Sequence, residues 1–165
     1  MLLVVFVGEV VLCARWEPWY FRSGLVIYSR RVSAVGREPH LPAPSELEAS
    51  FKSFLLPNLV FRAFSPDEIV FREKLLSIRL FSYSPLMHGH IEFRPLERAV
   101  SVQGRLNWFS LIFFVLFALR LPREGLLPLL PILCGLYALI YLIQAFRYQR
   151  VIKVLTITSA QTEAV

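Results

Sequence analysis

The run LLPLLPILCGLYALIYLIQAF, from Leu126 to Phe146, holds 21 residues without a single charge. At about 1.5 Å of rise per residue, a helix of that length covers the roughly 30 Å hydrocarbon core of a bilayer. Pro128 and Pro131 fall in its first two turns, where a missing N–H costs least, so the sequence predicts a kink near that end. Upstream, LNWFSLIFFVLFALRL begins at Leu106 and carries one charge, Arg120, whose long stem can snorkel to an interface. PREG joins the two runs. A buried helical hairpin in a soluble protein is the alternative, but 165 residues are too few to wrap both helices in protein. The prediction is a transmembrane helical hairpin over residues 106–146.

Composition points the same way. Hydrophobic residues make up 56% and charged residues 18%, with mean hydropathy +0.55, against about 45–50% and 25% in soluble domains. The net charge of +6 suits nucleic acid, anionic lipid or topogenic charge. Cys13 and Cys134 both lie in apolar segments, so no disulfide framework is read from them.

The N-terminal MLLVVFVGEVVLCA is apolar but short, with Glu9 near its middle. Three readings compete. A transmembrane helix could run on to about Trp16; a signal peptide would lack its positive n-region and cleavage pattern; the β-branched residues could form strands around Gly8–Glu9. The helix, over residues 1–16, is preferred. A carboxyl in the bilayer is costly and a functional hypothesis by default. By depth, Glu9 should meet Tyr141 or Gln144 of the last helix, or Ser110 of the second.

Basic and aromatic residues flank these runs on one side. Arg15, Trp16, Trp19, Tyr20, Arg22, Arg30 and Arg31 follow the first; Arg94, Arg98, Arg105 and Trp108 lead into the second; Arg147, Tyr148, Arg150 and Lys153 leave the third. The hairpin turn offers only Arg120 and Arg123. Basic residues collect in cytoplasmic loops and aromatics at the interface. Residues 17–105 and a tail over 147–165 are therefore expected in the cytoplasm of a bacterial inner membrane. Arg15, Trp16, Trp19, Arg22, Arg105, Trp108, Arg147 and Tyr148 are the expected lipid and interface anchors. This placement explains the basic charge without a nucleic-acid partner.

Residues 17–105 read as a small α+β domain, an antiparallel sheet with one packed helix. WYFRSGLVIYSRRVSAV, residues 19–35, predicts a strand or strand pair bending at Gly24. Ser45 and Glu48 have the spacing of a capping box, opening a helix that buries Leu47, Phe51, Phe54 and Leu55 and ends near Leu56 before Pro57. NLVFRAF and EIVFREKL flank SPD as a hairpin; SIRLFSY is a further strand; HIEF and AVSVQG flank RPLER as a second hairpin feeding straight into the helix at Trp108. The whole is similar, in architecture alone, to bacterial membrane proteins carrying pleckstrin-homology-like domains. No motif residue is shared, and nothing about site or partner is taken from that likeness.

MHGHIEF, residues 87–93, is the one stretch with metal-like spacing. In a strand His88, His90 and Glu92 share a face, a three-ligand set suited to zinc. An amphipathic strand puts polar residues on its wet face for no such reason, and the chain has only one further histidine, His40, and a single aspartate, Asp67, which the hairpin turn already explains. No metal and no cofactor is assigned. Phosphate-loop, dinucleotide, metalloprotease and nucleophile-elbow motifs are all missing. The expectation is a non-enzymatic membrane subunit for assembly, scaffolding or regulation, binding a protein partner through its β-rich domain. The runner-up is a module that binds anionic headgroups through Arg22, Arg30, Arg31, Arg98 and Arg105.

Overall fold

The computed structural model describes residues 2–33, 41–52, 57–74, 86–120 and 127–161. Helix α1 (Leu2–Arg15) is followed by a short helix α2 (Pro18–Arg22), strand β1 (Val26–Ser33) and helix α3 (Pro44–Ser50). Strands β2 (Leu59–Ser65), β3 (Glu68–Glu73), β4 (Met87–Arg94) and β5 (Ala99–Leu106) come next, then helices α4 (Trp108–Arg120) and α5 (Leu130–Gln161). The five strands form one antiparallel sheet in the order β1-β5-β4-β3-β2. This is the α+β architecture expected, and among the described residues one helix is long and apolar enough to cross a membrane, over Leu130–Thr156.

The two hairpins form where alternating runs meet turn residues. β2 and β3 pair about Pro66–Asp67, and β4 and β5 pair about a 3-10 turn at Pro95–Glu97. Leu106 ends β5, and α4 begins two residues later. The proposed strand at residues 77–83 lies outside the described residues, as do Phe54, Leu55 and the turn at 121–126.

One local alternative is closed and two local readings are corrected. Helix α1 is a helix throughout, which removes the strand alternative. Residues 19–22, read as the start of a strand, belong to α2: Pro18 sits at the helix start, and the backbone reverses just before it. The reversal is a Schellman closure, with Glu17 N–H donating to Leu12 O and Trp16 N–H to Cys13 O. Trp16 holds the left-handed position, φ 60°, where glycine is usual. Its ring stacks on Phe21 at 5.3 Å and lies under the Arg72 guanidinium at 4.5 Å, contacts that offset the backbone cost. Finally, the capping box at Ser45 and Glu48 does not form. Ala43 is the N-cap, Pro44 takes the first helical position, and Glu48 Oε1 accepts from Phe61 N–H on β2. Glu48 ties α3 to the sheet instead, and α3 stops at Ser50.

One face of the sheet packs on α3 and on the second half of α5, burying Leu47, Phe61, Phe71, Met87, Ile91, Val102, Tyr148, Val151 and Leu155. Gly89 and Gly104 stand side by side in the β4–β5 register and leave a hollow on this face. Phe71 and Tyr148 fill it, edge to face at 4.8 Å. The opposite face is covered in part by α2, which lays Tyr20 and Phe21 against Val70.

Helix α5 does not end at the membrane boundary placed after Phe146. It runs unbroken for 32 residues, about 48 Å. Arg147 and Tyr148, expected as interface anchors at the head of a tail, are buried in the core. The Arg147 guanidinium donates to Glu73 Oε1 and to Pro57 O. Tyr148 hydroxyl donates to Met87 O at 3.3 Å. Gln144 Oε1 accepts from the N–H groups of Leu86 and Met87, at 3.0 and 3.2 Å. These bonds bolt α5 to the end of the sheet where α4 also departs.

Candidate functional site

Two polar clusters bring the sequence candidates together. The first joins α1, α2 and α4 around Glu9. Asn107 precedes α4, where its side chain would ordinarily accept from the second or third helical N–H. Its Oδ1 is instead 3.0 Å from His88 Nδ1. That leaves the Phe109 N–H needing an acceptor, and Glu9 Oε2 supplies it at 2.5 Å. Glu9 Oε1 accepts from the Tyr20 hydroxyl, also at 2.5 Å. A carboxyl is well placed at a helix N-terminus, where the orphan N–H groups and the macrodipole both favour it. Burial first, then the Glu9 carboxyl, push the Tyr20 phenol far above its usual range, so Tyr20 acts as a donor only.

Glu9 therefore does not meet Tyr141 or Gln144. Tyr141 hydroxyl donates to Ile27 O, and Gln144 is engaged by β4. Of the partners expected by depth, those on the last helix fail and the second helix is the one met, one residue from Ser110, because Leu12 and Cys13 pack against the sheet domain and put Glu9 near it. Phe6 meets Phe109 edge to face at 5.1 Å, which fixes α1 beside α4. Glu9→Leu is expected to destabilise the junction by about 1–3 kcal/mol, because it orphans the buried Tyr20 hydroxyl and the half-buried Phe109 N–H. Glu9→Gln, which keeps one acceptor oxygen, should lose less. Disulfide trapping checks the placement: cysteines at 9 and 109 should crosslink in native membranes, whereas a 9–144 crosslink would restore the discarded packing.

The second cluster contains the histidines. His88 and His90 do share a face of β4, yet that face is not wet: they are 1% and 7% exposed. Tyr20 and Phe21 of α2 lie over His88, with ring centroids at 4.7 and 5.2 Å. His90 Nε2 bonds Glu68 Oε1 at 2.8 Å, and Arg22 clamps the same carboxylate through Nε and Nη2 at 2.9 and 2.5 Å. The Arg22 hydrogen bonds hold the Glu68 carboxyl low, at about 2. Glu92 pairs instead with Arg94, at 3.2 Å. The three candidate ligands thus have three separate partners. Among the described residues no group of three or more His, Cys, Asp or Glu side chains is placed to hold a metal.

His88 makes the domain acid-sensitive. Burial drives its pKa from 6.5 down to about 4. Below pH about 6.5 the unfolded chain takes up a proton that the folded protein resists, so stability falls as pH falls from 6.5 toward 4. The loss across that window is on the order of 3 kcal/mol. The Glu68 contribution begins to fail only below pH 4.5, where the unfolded carboxyl titrates. Thermal melts between pH 7 and 4.5 should therefore show a falling midpoint, and His88→Gln should flatten the slope. A wild-type midpoint constant over that range would place His88 in water.

Of the remaining expected anchors, Arg15 and Trp19 are exposed, and Trp108 is 39% exposed with its Nε1 donating to Ser23 Oγ. Trp16 faces the domain, and Arg105 bonds Gln103. Arg31 and Arg98 lie at the other end of the sheet. Arg98 precedes β5, whose eight residues put it about 25 Å from the start of α4. Arg31 pairs there with Glu97. The residues missed from sequence are Tyr20, Phe21, Glu68 and Glu73, whose roles depend on partners dozens of positions away.

Fold and contacts together define an α+β protein with, among the described residues, a five-stranded antiparallel sheet and one helix long and apolar enough to cross a membrane. Set against protein-family models, curated proteins and solved structures, the chain matches none.

Proposed function

We propose that the chain is an integral membrane protein, anchored by α4 and α5 as a transmembrane hairpin with α1 entering the same layer beside α4. Its sheet domain lies at the cytoplasmic face and serves as a non-enzymatic subunit that docks a protein partner for assembly or regulation. The observation that carries this reading is the placement of exposed apolar side chains. Leu3, Val4, Val7, Leu119, Ile132, Leu136, Leu139 and Leu142 all stand in the open on these three helices. In water such a surface would be an aggregation hazard; in lipid it needs no cover.

The subunit role is supported by how α5 is used. One helix runs from the apolar layer into the sheet core, held by Gln144, Arg147 and Tyr148. A load on the sheet is thereby felt by the apolar part of the helix without a flexible joint. The titratable groups described above act as internal ties, which suits binding rather than turnover. Labelling from outside the cell tests the orientation: a cysteine at 123 should react, and one at 98 should not. Purification of the intact protein in mild detergent tests the role. A stoichiometric partner is expected, and a chain that purifies alone from native membranes would sink the subunit reading.

A further inference from the structure

Three cations, Lys52 just past the end of α3 and Arg150 and Lys153 on α5, have no acidic partner among the described residues. A cleft of about 270 Å³ opens between the C-terminal end of α3 and α5, with Lys52, Arg150 and Lys153 on its walls and Ser50 and Phe146 at its margins. Lys52, Arg150 and Lys153 are exposed and form no ion pair among the described residues, and none of the described lining residues is acidic. Arg147 also lines the cleft but is different, since its charge is met by Glu73. Phe146, 57% exposed, is the last residue of the charge-free run, and the Arg150 guanidinium lies over its ring at 5.0 Å.

Concentrating three positive charges around a concave space costs self-repulsion, which an anion relieves. The position narrows the choice of anion. Phe146 to Lys153 rises about 10 Å along α5, enough to cross the roughly 5–8 Å headgroup layer of one leaflet. The cleft begins where the apolar run of α5 stops. A ligand seated there would have its phosphate among the cations and its acyl chains along the exposed apolar side of α5. A free phosphate would use the first feature and leave the second without purpose.

We infer that this cleft binds the headgroup of an anionic phospholipid, with Lys52, Arg150 and Lys153 as the phosphate contacts and Phe146 marking the depth of the glycerol. The inference rests on the membrane reading above and relocates the headgroup contacts from Arg31 and Arg98, at the far end of the sheet, to α3 and α5. The lipid joins sheet domain to bilayer at the side opposite α2.

The test uses the full-length protein in nanodiscs containing phosphatidylglycerol and phosphatidylcholine, with bound lipid counted by native mass spectrometry after release. Wild-type protein should retain phosphatidylglycerol in preference to phosphatidylcholine. Retention should fall by about fivefold for each cation removed in Lys52→Gln, Arg150→Gln and Lys153→Gln. A control with the same loss of three charges, Arg30→Gln, Arg62→Gln and Arg98→Gln, all exposed away from the cleft, should retain it. Equal retention by the triple variant, or equal loss in the control, would overturn the site. A further arm adds inorganic phosphate at millimolar concentration: displacement of the lipid by phosphate alone would overturn the lipid assignment. Alkaline carbonate washing separates the two levels. A chain released without detergent contradicts the membrane reading itself, whereas an embedded chain without lipid preference contradicts only the cleft.

Discussion

Gly89→Ala is expected to destabilise the sheet domain by about 3 kcal/mol or more, at the upper end for an overpacked core. A Cβ at this position would lie 2.1 Å from Phe71 Cζ, with two more ring atoms within 2.4 Å. The ring has nowhere to go. Phe71 is fully buried, stacked on Phe61 at 5.2 Å and against Tyr148 at 4.8 Å. Moving it disturbs the contact that seats α5 on the sheet, so local strain becomes loss of tertiary packing. A drop of about 10 °C in melting temperature, followed by tryptophan fluorescence in detergent, is the expected size. Phe71→Leu in the same chain should recover part of it, because the smaller side chain vacates the hollow, and the cycle of single and double variants measures that coupling. A Gly89→Ala protein that melts with the wild type would mean that Phe71 does not occupy the Gly89–Gly104 hollow.

Arg147→Met should be as severe, at about 3–5 kcal/mol, for an electrostatic reason. Arg147 and Glu73 have side chains 7% and 4% exposed, and the pair lies where α5 meets the ends of β2 and β3. Removing the guanidinium leaves a carboxylate in a site with little water, and also takes a donor from Pro57 O. Glu73→Gln should fall in the same range, leaving the cation without its counter-charge. Joining Glu73→Leu to Arg147→Met removes both charges, and stability should return to within about 1–2 kcal/mol of wild type. Urea titration of the four proteins reads this directly. If Arg147 were an interface anchor, Arg147→Met would shift the midpoint little and Glu73 would not respond to it.

That contrast shows what a local reading can and cannot carry. The apolar run to Phe146, the hairpins about Pro66–Asp67 and Pro95–Glu97, and the direct passage from β5 into α4 were all legible, because each depends on neighbours within a few residues. So was the shared face of His88 and His90. Whether that face was wet was not legible, since the answer lies in Tyr20 and Phe21, nearly seventy positions earlier. The stripe Gln144, Tyr148, Val151 and Leu155 has helical spacing and marks the side of α5 that meets the sheet. It was masked by Arg147 and Arg150, which read as the end of a membrane run to anyone who cannot see Glu73.

The sequence by itself determined the secondary-structure class, the strand pairs closed by short turns and the apolar helices, because alternation, helical periodicity and unbroken apolarity are properties of adjacent residues. Only the tertiary structure decided where charge ends up. Glu9 caps α4 because Asn107 is occupied by His88, Arg147 is interior because Glu73 awaits it, and Lys52, Arg150 and Lys153 converge because α3 stops at Ser50 beside α5. A charge takes its meaning from the nearest opposite charge, hydrogen-bond partner or water, and in a folded chain those neighbours are set by packing rather than by order along the sequence.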